Sequence, residues 1–107
     1  MKEFPDFIFT SACGVYYEWI EKVDPEMFQE IKERIWEGRW SLTGGWFLQP
    51  DCNIPCGESF ARHGLITQRY FQEKFGTTAK TGYNVDSFGH NASLPQVLKK
   101  SGMDQYV

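Results

Sequence analysis

A chain of 107 residues with net charge −3, 41% apolar and 23% charged residues is long enough for one domain and is not composed like a disordered segment. No Lys/Arg cluster marks a phosphate-tracking face, which argues against a nucleic-acid partner, and no apolar run approaches the ~18–20 residues of a membrane-spanning helix. Met1-Lys2-Glu3-Phe4-Pro5-Asp6 carries acids and a proline where a signal peptide has its apolar core, so the expectation is a cytoplasmic protein with reduced thiols.

In chain order, Phe7-Ile8-Phe9-Thr10 is a short apolar run bounded by Ser11, Cys13 and Gly14, and reads as a buried strand. Residues 15–20 read as a short helix. Asp24-Pro25-Glu26 is a helix start: an N-cap, a proline at the first helical position, and an acid against the positive end of the dipole. Phe28, Ile31, Ile35 and Trp36 then recur at helical spacing up to Gly38, and the charged residues between them form a solvated face. Trp36 and Trp40 are expected in the core.

Trp40-Ser41-Leu42-Thr43 is the next strand, closed by Gly44-Gly45, and residues 46–56 follow as an extended segment broken by Pro50 and Pro55. Gly57-Glu58-Ser59 opens a long helix with an apolar stripe of Phe60, Leu65, Ile66, Phe71 and Phe75, stopped by Gly76. Residues 78–85 contain a third strand with Asp86 at its carboxyl end. Ser93-Leu94-Pro95 starts a helix running to Lys100, and Tyr106-Val107 begins a fourth strand. The alternation of strands and helices, with connections long enough for right-handed crossovers, predicts an α/β fold: a parallel sheet flanked by helices.

In such sheets functional groups gather at the carboxyl ends of the strands. Asp86, Phe88 and His90 stand together at one such end, where a carboxylate is suited to be a nucleophile, a general base or a metal ligand. A turn or capping role for Asp86 is equally compatible with the spacing. Cys52 and Cys56 at C-x3-C spacing, with His63 seven residues on and Cys13 or His90 as a fourth donor, form a weaker candidate zinc site. Asp51 fits a Pro-Asp turn.

Gly44-Gly45-Trp46 to Pro50-Asp51-Cys52-Asn53, then Gly57-Glu58-Ser59, resembles a segment of the glycoside hydrolase family 38 α-mannosidases. Tyr83-Asn84-Val85-Asp86-Ser87-Phe88-Gly89-His90-Asn91, followed by Leu94-Pro95-Gln96 and Lys99-Lys100-Ser101-Gly102, is similar to the nucleophile segment of that family, with Tyr83 where tryptophan is common. The resemblance implies a zinc-dependent retaining hydrolase of terminal α-linked mannose in glycans or glycosides. It implies that Asp86 is both the nucleophile and a zinc ligand, that Phe88 lies beside the sugar, and that His90 is not a zinc ligand. Trp46, after the Gly-Gly, is a candidate pocket aromatic.

On this reading residues 1–107 are the middle segment of a catalytic domain, part of a seven-stranded (β/α) barrel. The remaining zinc ligands and the acid/base carboxylate belong to the remainder of the same polypeptide. The isolated piece is expected to be inactive and to dimerise through uncovered strand edges. The rival readings are a structural or interaction domain without chemistry, a small zinc module on Cys52, Cys56 and His63, and a sugar deacetylase on the same type of barrel.

Overall fold

The structure is a computed structural model that describes residues 1 and 3–107, so Lys2 lies outside the described residues. Its elements are β1 (Phe9–Ser11), α1 (Gly14–Val23), α2 (Pro25–Trp36), β2 (Trp40–Leu42), α3 (Gly57–Phe75), β3 (Thr81–Gly82), α4 (Leu94–Lys100) and β4 (Gln105–Tyr106). β1 pairs parallel with β2, Thr10 opposite Ser41, and β3 pairs parallel with β4, Thr81 opposite Gln105. A single parallel bridge between Gly44 and Gly82 joins the two ribbons, with the Gly44 N–H donating to Thr81 O at 2.8 Å. The strands therefore lie side by side in chain order, and the expected parallel α/β arrangement is present.

β3 is shorter than the expected 78–85 because its neighbour on one side turns away at once. Gly44 and Gly45 both adopt positive φ, so the ladder between β2 and β3 ends after the bridge. On the other side, pairing runs further than the strand itself. Lys80 O accepts from Asp104 N, Val107 N donates to Gly82 O, and Asn84 N donates to Val107 O at 2.9 Å.

The helix boundaries follow from capping chemistry. At α2 the Asp24 carboxylate accepts from Met27 N at 2.9 Å and Pro25 takes the first turn, a cap worth about 1 kcal/mol. At the end of α3, Gly76 is left-handed (φ 72°) and its N–H returns to Gln72 O, satisfying a terminal carbonyl.

The buried stripe of α3 is Phe60, Gly64, Thr67, Phe71 and Phe75. Leu65 and Ile66, expected on it, are more than half exposed, because positions 60, 64, 67, 71 and 75 follow helical spacing and 65 and 66 lie to one side. Gly64 and Thr67 take their places because the approach there is close. A Cβ on Gly64 would sit 2.6 Å from Ser101 Oγ.

Trp36 is also displaced from its expected core position and is 66% exposed. It follows Ile35 by one residue and so points about 100° away from the Phe28–Ile31–Ile35 stripe. Its indole N–H instead donates to Phe75 O at 3.3 Å.

Buried apolar residues form two clusters. One gathers Tyr17, Phe28, Ile31, Phe71, Phe75 and Ala79 between α1, α2 and α3, with Trp40 packed against it; the other gathers Trp46, Cys52, Phe60, Leu94, Leu98 and Met103 beneath α3 and α4. Tyr17 fastens the first cluster to the sheet. Its ring meets Phe71 and Phe75 edge-on at 5.4 Å, its hydroxyl donates to Ser11 O at 3.2 Å, and it accepts from Trp40 Nε1 at 2.8 Å. One phenol oxygen thus ties α1 to both β1 and β2.

Burial pushes the Tyr17 phenol up to about 12, against the weaker opposing pull of its bonds to Trp40 and Ser11. A folded-state value above the unfolded one, near 10, gives stability that is complete below about pH 10 and is lost as pH rises toward 12. Tyrosinate absorbance and far-ultraviolet circular dichroism followed from pH 9 upward should change together. Tyr17→Phe should remove that link and lower stability at neutral pH by about 1–3 kcal/mol in urea unfolding, since the Trp40 N–H loses its acceptor.

Candidate active site

Residues of positive φ follow three of the strands. After β1, Cys13 has φ 73°; after β2, Gly44 and Gly45 have φ 85° and 59°; after β3, Asp86 has φ 65°. Cys13 and Asp86 have side chains, and for such residues this conformation costs about 1–2 kcal/mol. Only glycine fits at 44 and 45. A Cβ at 44 would lie 3.0 Å from the Ala12 Cβ, and one at 45 would run into the Met103 thioether.

This tight exit drives Trp46 inward. It is fully buried, edge-on to Phe60 at 5.8 Å, and its indole N–H donates to Asn84 Oδ1 at 2.7 Å. The expectation that Trp46 lines a sugar pocket is corrected accordingly: no face of its ring is open to a ligand, and its place is in the second apolar cluster.

The segment 46–56 then lies against the stretch 84–91. Asn84 Nδ2 donates to Pro50 O at 3.0 Å, Gln49 Nε2 donates to Val85 O at 2.5 Å, and Asn91 Nδ2 donates to Cys52 O. Cys52 Sγ sits 3.6 Å from Ser87 Oγ and 4.0 Å from the Tyr106 hydroxyl. Burial, then the neighbouring Cys52, pushes the Tyr106 phenol up to about 12. At the other end of the segment, the Trp46 and Phe47 carbonyls accept from Gly14 N and Val15 N at 2.9 Å each, satisfying the first amides of α1.

Asp86 stands at the apex of the turn these contacts hold. It occupies the third position of the turn 84–87, where a type II turn needs positive φ, and Ser87 Oγ closes the turn onto Asn84 O at 3.2 Å. Asp86 is exposed, and among the described residues no hydrogen bond or ion pair engages its carboxylate. Phe88 is 94% exposed at the same strand end. His90 is exposed and meets the Tyr106 ring edge-on at 5.5 Å, a packing contact. Asp51 accepts from Asn53 N and Ile54 N at 2.7 and 3.0 Å, the expected turn. A cavity of about 530 Å³ lies between α3 and α4 beside Gly64, Gln68, Val97 and Ser101, and another of about 360 Å³ is lined by His90, Leu94, Leu98 and Tyr106.

The metal-ligating residues do not converge. Among the described residues no three His, Cys, Asp or Glu side chains form a metal-binding group. Cys52 is buried beside Ser87, Cys56 is exposed beside Ser59 at the start of α3, and His63 Nδ1 faces Leu48 N. The zinc-module reading of these residues is not supported by this geometry. A catalytic zinc takes about three protein ligands, so these residues alone do not fit one; Asp86 offers a single unengaged carboxylate.

Sequence reasoning singled out Asp86 and Phe88 but assigned no role to Gln49, Asn84 or Ser87, which hold the turn. A signal was present: a tryptophan destined for burial needs an acceptor for its N–H, and Asn84 is a polar side chain beside a buried strand.

The family model describing the N-terminal domain of glycosyl hydrolases family 38 matches residues 1–107. The whole chain is 36% identical to alpha-mannosidase G of Dictyostelium discoideum, 32% identical to an alpha-mannosidase of Saccharomyces cerevisiae and 30% identical to human alpha-mannosidase 2C1, spanning about 10% of the length of each. The fold is similar to part of a crystal structure of a 4-α-glucanotransferase from Thermococcus litoralis, with TM-score 0.82 and 21% identity over 98% of this chain and 16% of that one.

Replacing Asp86 by glycine should relieve about 1–2 kcal/mol of left-handed strain against about 0.5–1 kcal/mol of added chain entropy, leaving stability equal or up to about 1.5 kcal/mol higher. Urea unfolding checks this. A clear loss in Asp86→Gly would mean that the carboxylate has a stabilising partner, whereas Asp86→Val should be destabilised.

Proposed function

The chain belongs to glycosyl hydrolase family 38, and from that membership we propose that it carries the nucleophile of a retaining α-mannosidase, Asp86, on part of a seven-stranded (β/α) barrel. The observation that supports this reading most is the Asp86 carboxylate itself. It is exposed at the carboxyl end of a parallel strand, in a left-handed turn, with no internal partner. Strained backbone of this kind concentrates at functional sites. The side-by-side parallel strands and the fold likeness support the barrel.

In the proposed reaction an Asp86 carboxylate oxygen attacks C1 of a terminal α-linked mannose. The bond from C1 to the aglycone oxygen breaks, and that oxygen takes a proton from a second carboxyl group about 5–5.5 Å away, which this chain does not supply. Water then attacks C1 of the mannosyl ester, gives its proton to the same carboxyl group, and releases α-mannose with Asp86 restored. Phe88, exposed two residues beyond, offers an apolar ring to the less polar face of the sugar. The further role of Asp86 as a zinc ligand requires donors from outside these residues, and no step above is routed through the metal.

The isolated chain should show no turnover of aryl α-mannosides. In a full-length polypeptide carrying this segment, a slow fluorinated mannosyl substrate should leave one mannosyl unit on the peptide containing Asp86, read by mass spectrometry, and Asp86→Asn should abolish it. Labelling of another carboxylate would overturn the assignment. Self-association of the isolated chain is part of the same proposal, supported by exposed Phe4, Phe7, Ile8 and Phe9 beside β1; a concentration-independent monomer in sedimentation would contradict it.

A further inference from the structure

We infer that Asn84 is a positioning residue for Asp86: its buried carboxamide fixes the turn that presents the carboxylate. The inference rests on the nucleophile reading above and adds the group that acts through it.

Asn84 is 5% exposed, and its polar groups are all committed. The side-chain oxygen accepts from Trp46 Nε1 at 2.7 Å and the side-chain nitrogen donates to Pro50 O at 3.0 Å. The backbone N–H donates to Val107 O at 2.9 Å, and the backbone carbonyl accepts from Ser87 Oγ at 3.2 Å. Both side-chain partners are buried, and Trp46 is locked within the second apolar cluster. Asn84 therefore pins the first corner of the turn to an immobile indole.

Few side chains can do this. The site needs an acceptor facing an indole N–H and a donor facing a carbonyl, one carbon beyond Cβ. An ionised aspartate lacks the donor, leucine lacks both, and serine is too short. Without the amide, a buried N–H and a buried carbonyl would each be left unpaired. The turn would then rotate more freely to relieve the left-handed strain at position 86, held by the backbone bond from Asn84 to Val107 O, by Gln49 on Val85 O and by Ser87. Displacement of a reacting group by about 1 Å can cost about 100-fold in rate.

Backbone ¹⁵N order parameters of this chain test the geometry. In the native chain, residues 85–88 should match α1 and α3 at about 0.85. In Asn84→Leu the turn should fall below about 0.6 while the two helices stay unchanged. Trp46→Phe, which removes the indole donor and also shrinks a buried ring, should give an intermediate turn value with the two helices unchanged, and decides the matter if Asn84→Leu does not fold. A turn equally rigid in the variants overturns the inference. In a full-length polypeptide carrying this segment, Asn84→Leu should lower kcat about 100-fold with KM within about twofold, and an unchanged kcat also overturns it. Neither readout is the covalent label on Asp86, so failure to trap a mannosyl ester there sinks the nucleophile assignment alone, whereas a normal label with a rigid turn in the variants sinks the role of Asn84 alone.

Discussion

The structure depends on how the irregular segment 46–56 satisfies its own backbone. Trp46 and Pro50 within it are buried without being part of a helix or strand, and buried carbonyls need partners. This segment gives the Trp46 and Phe47 carbonyls to the start of α1, the Pro50 carbonyl to Asn84, and the Cys52 carbonyl to Asn91. These bonds reach two other parts of the chain, the start of α1 and the stretch 84–91. What looks like a connection between β2 and α3 is thus the strap that joins the first α/β unit to the turn carrying Asp86.

That strap explains why a short, weakly paired β3 can hold a strained residue at its end. Among the described residues a single bridge, Gly44 with Gly82, links the β2 side to β3, too little to fix the conformation of the chain four residues further on. The turn is instead determined from its flanks, by Asn84 on Trp46 and Pro50, by Gln49 on Val85, and by Ser87 on Asn84. Left-handed backbone at Asp86 then points a carboxylate outward with nothing inside the chain to neutralise it. An outward carboxylate without an internal partner is compatible with the reacting role proposed for it.

Much of the fold was legible because it rests on local chemistry. Asp24 and Pro25 mark the start of α2 and Gly76 the end of α3, since capping depends only on neighbouring residues. The parallel order followed from alternation of element types. What escaped depended on approach distances that no local pattern encodes. Leu65 and Ile66 looked like core beside Phe60 and Phe71, yet the helix contacts run through Gly64 and Thr67, where backbones come close. Trp36 and Trp46 illustrate the same limit in opposite directions, one expected inside and found outside, the other expected at a rim and found buried. Asp86 and Phe88 were singled out through a resemblance that spans the chain, whereas the bonds of Asn84 in the turn were visible only once its partners from a segment more than 30 residues away were in place.

The chain belongs to family 38 and spans about a tenth of its relatives' length, and the reading proposed for it is a mount for one carboxylate, Asp86. A crystal structure of a full-length polypeptide carrying the segment, with an unhydrolysed α-mannoside bound, tests that account most directly. The account predicts an Asp86 carboxylate oxygen within about 3–3.5 Å of the anomeric carbon, with the turn conformation as described. An Asp86 turned away from the sugar, with another carboxylate facing the anomeric carbon, would contradict it.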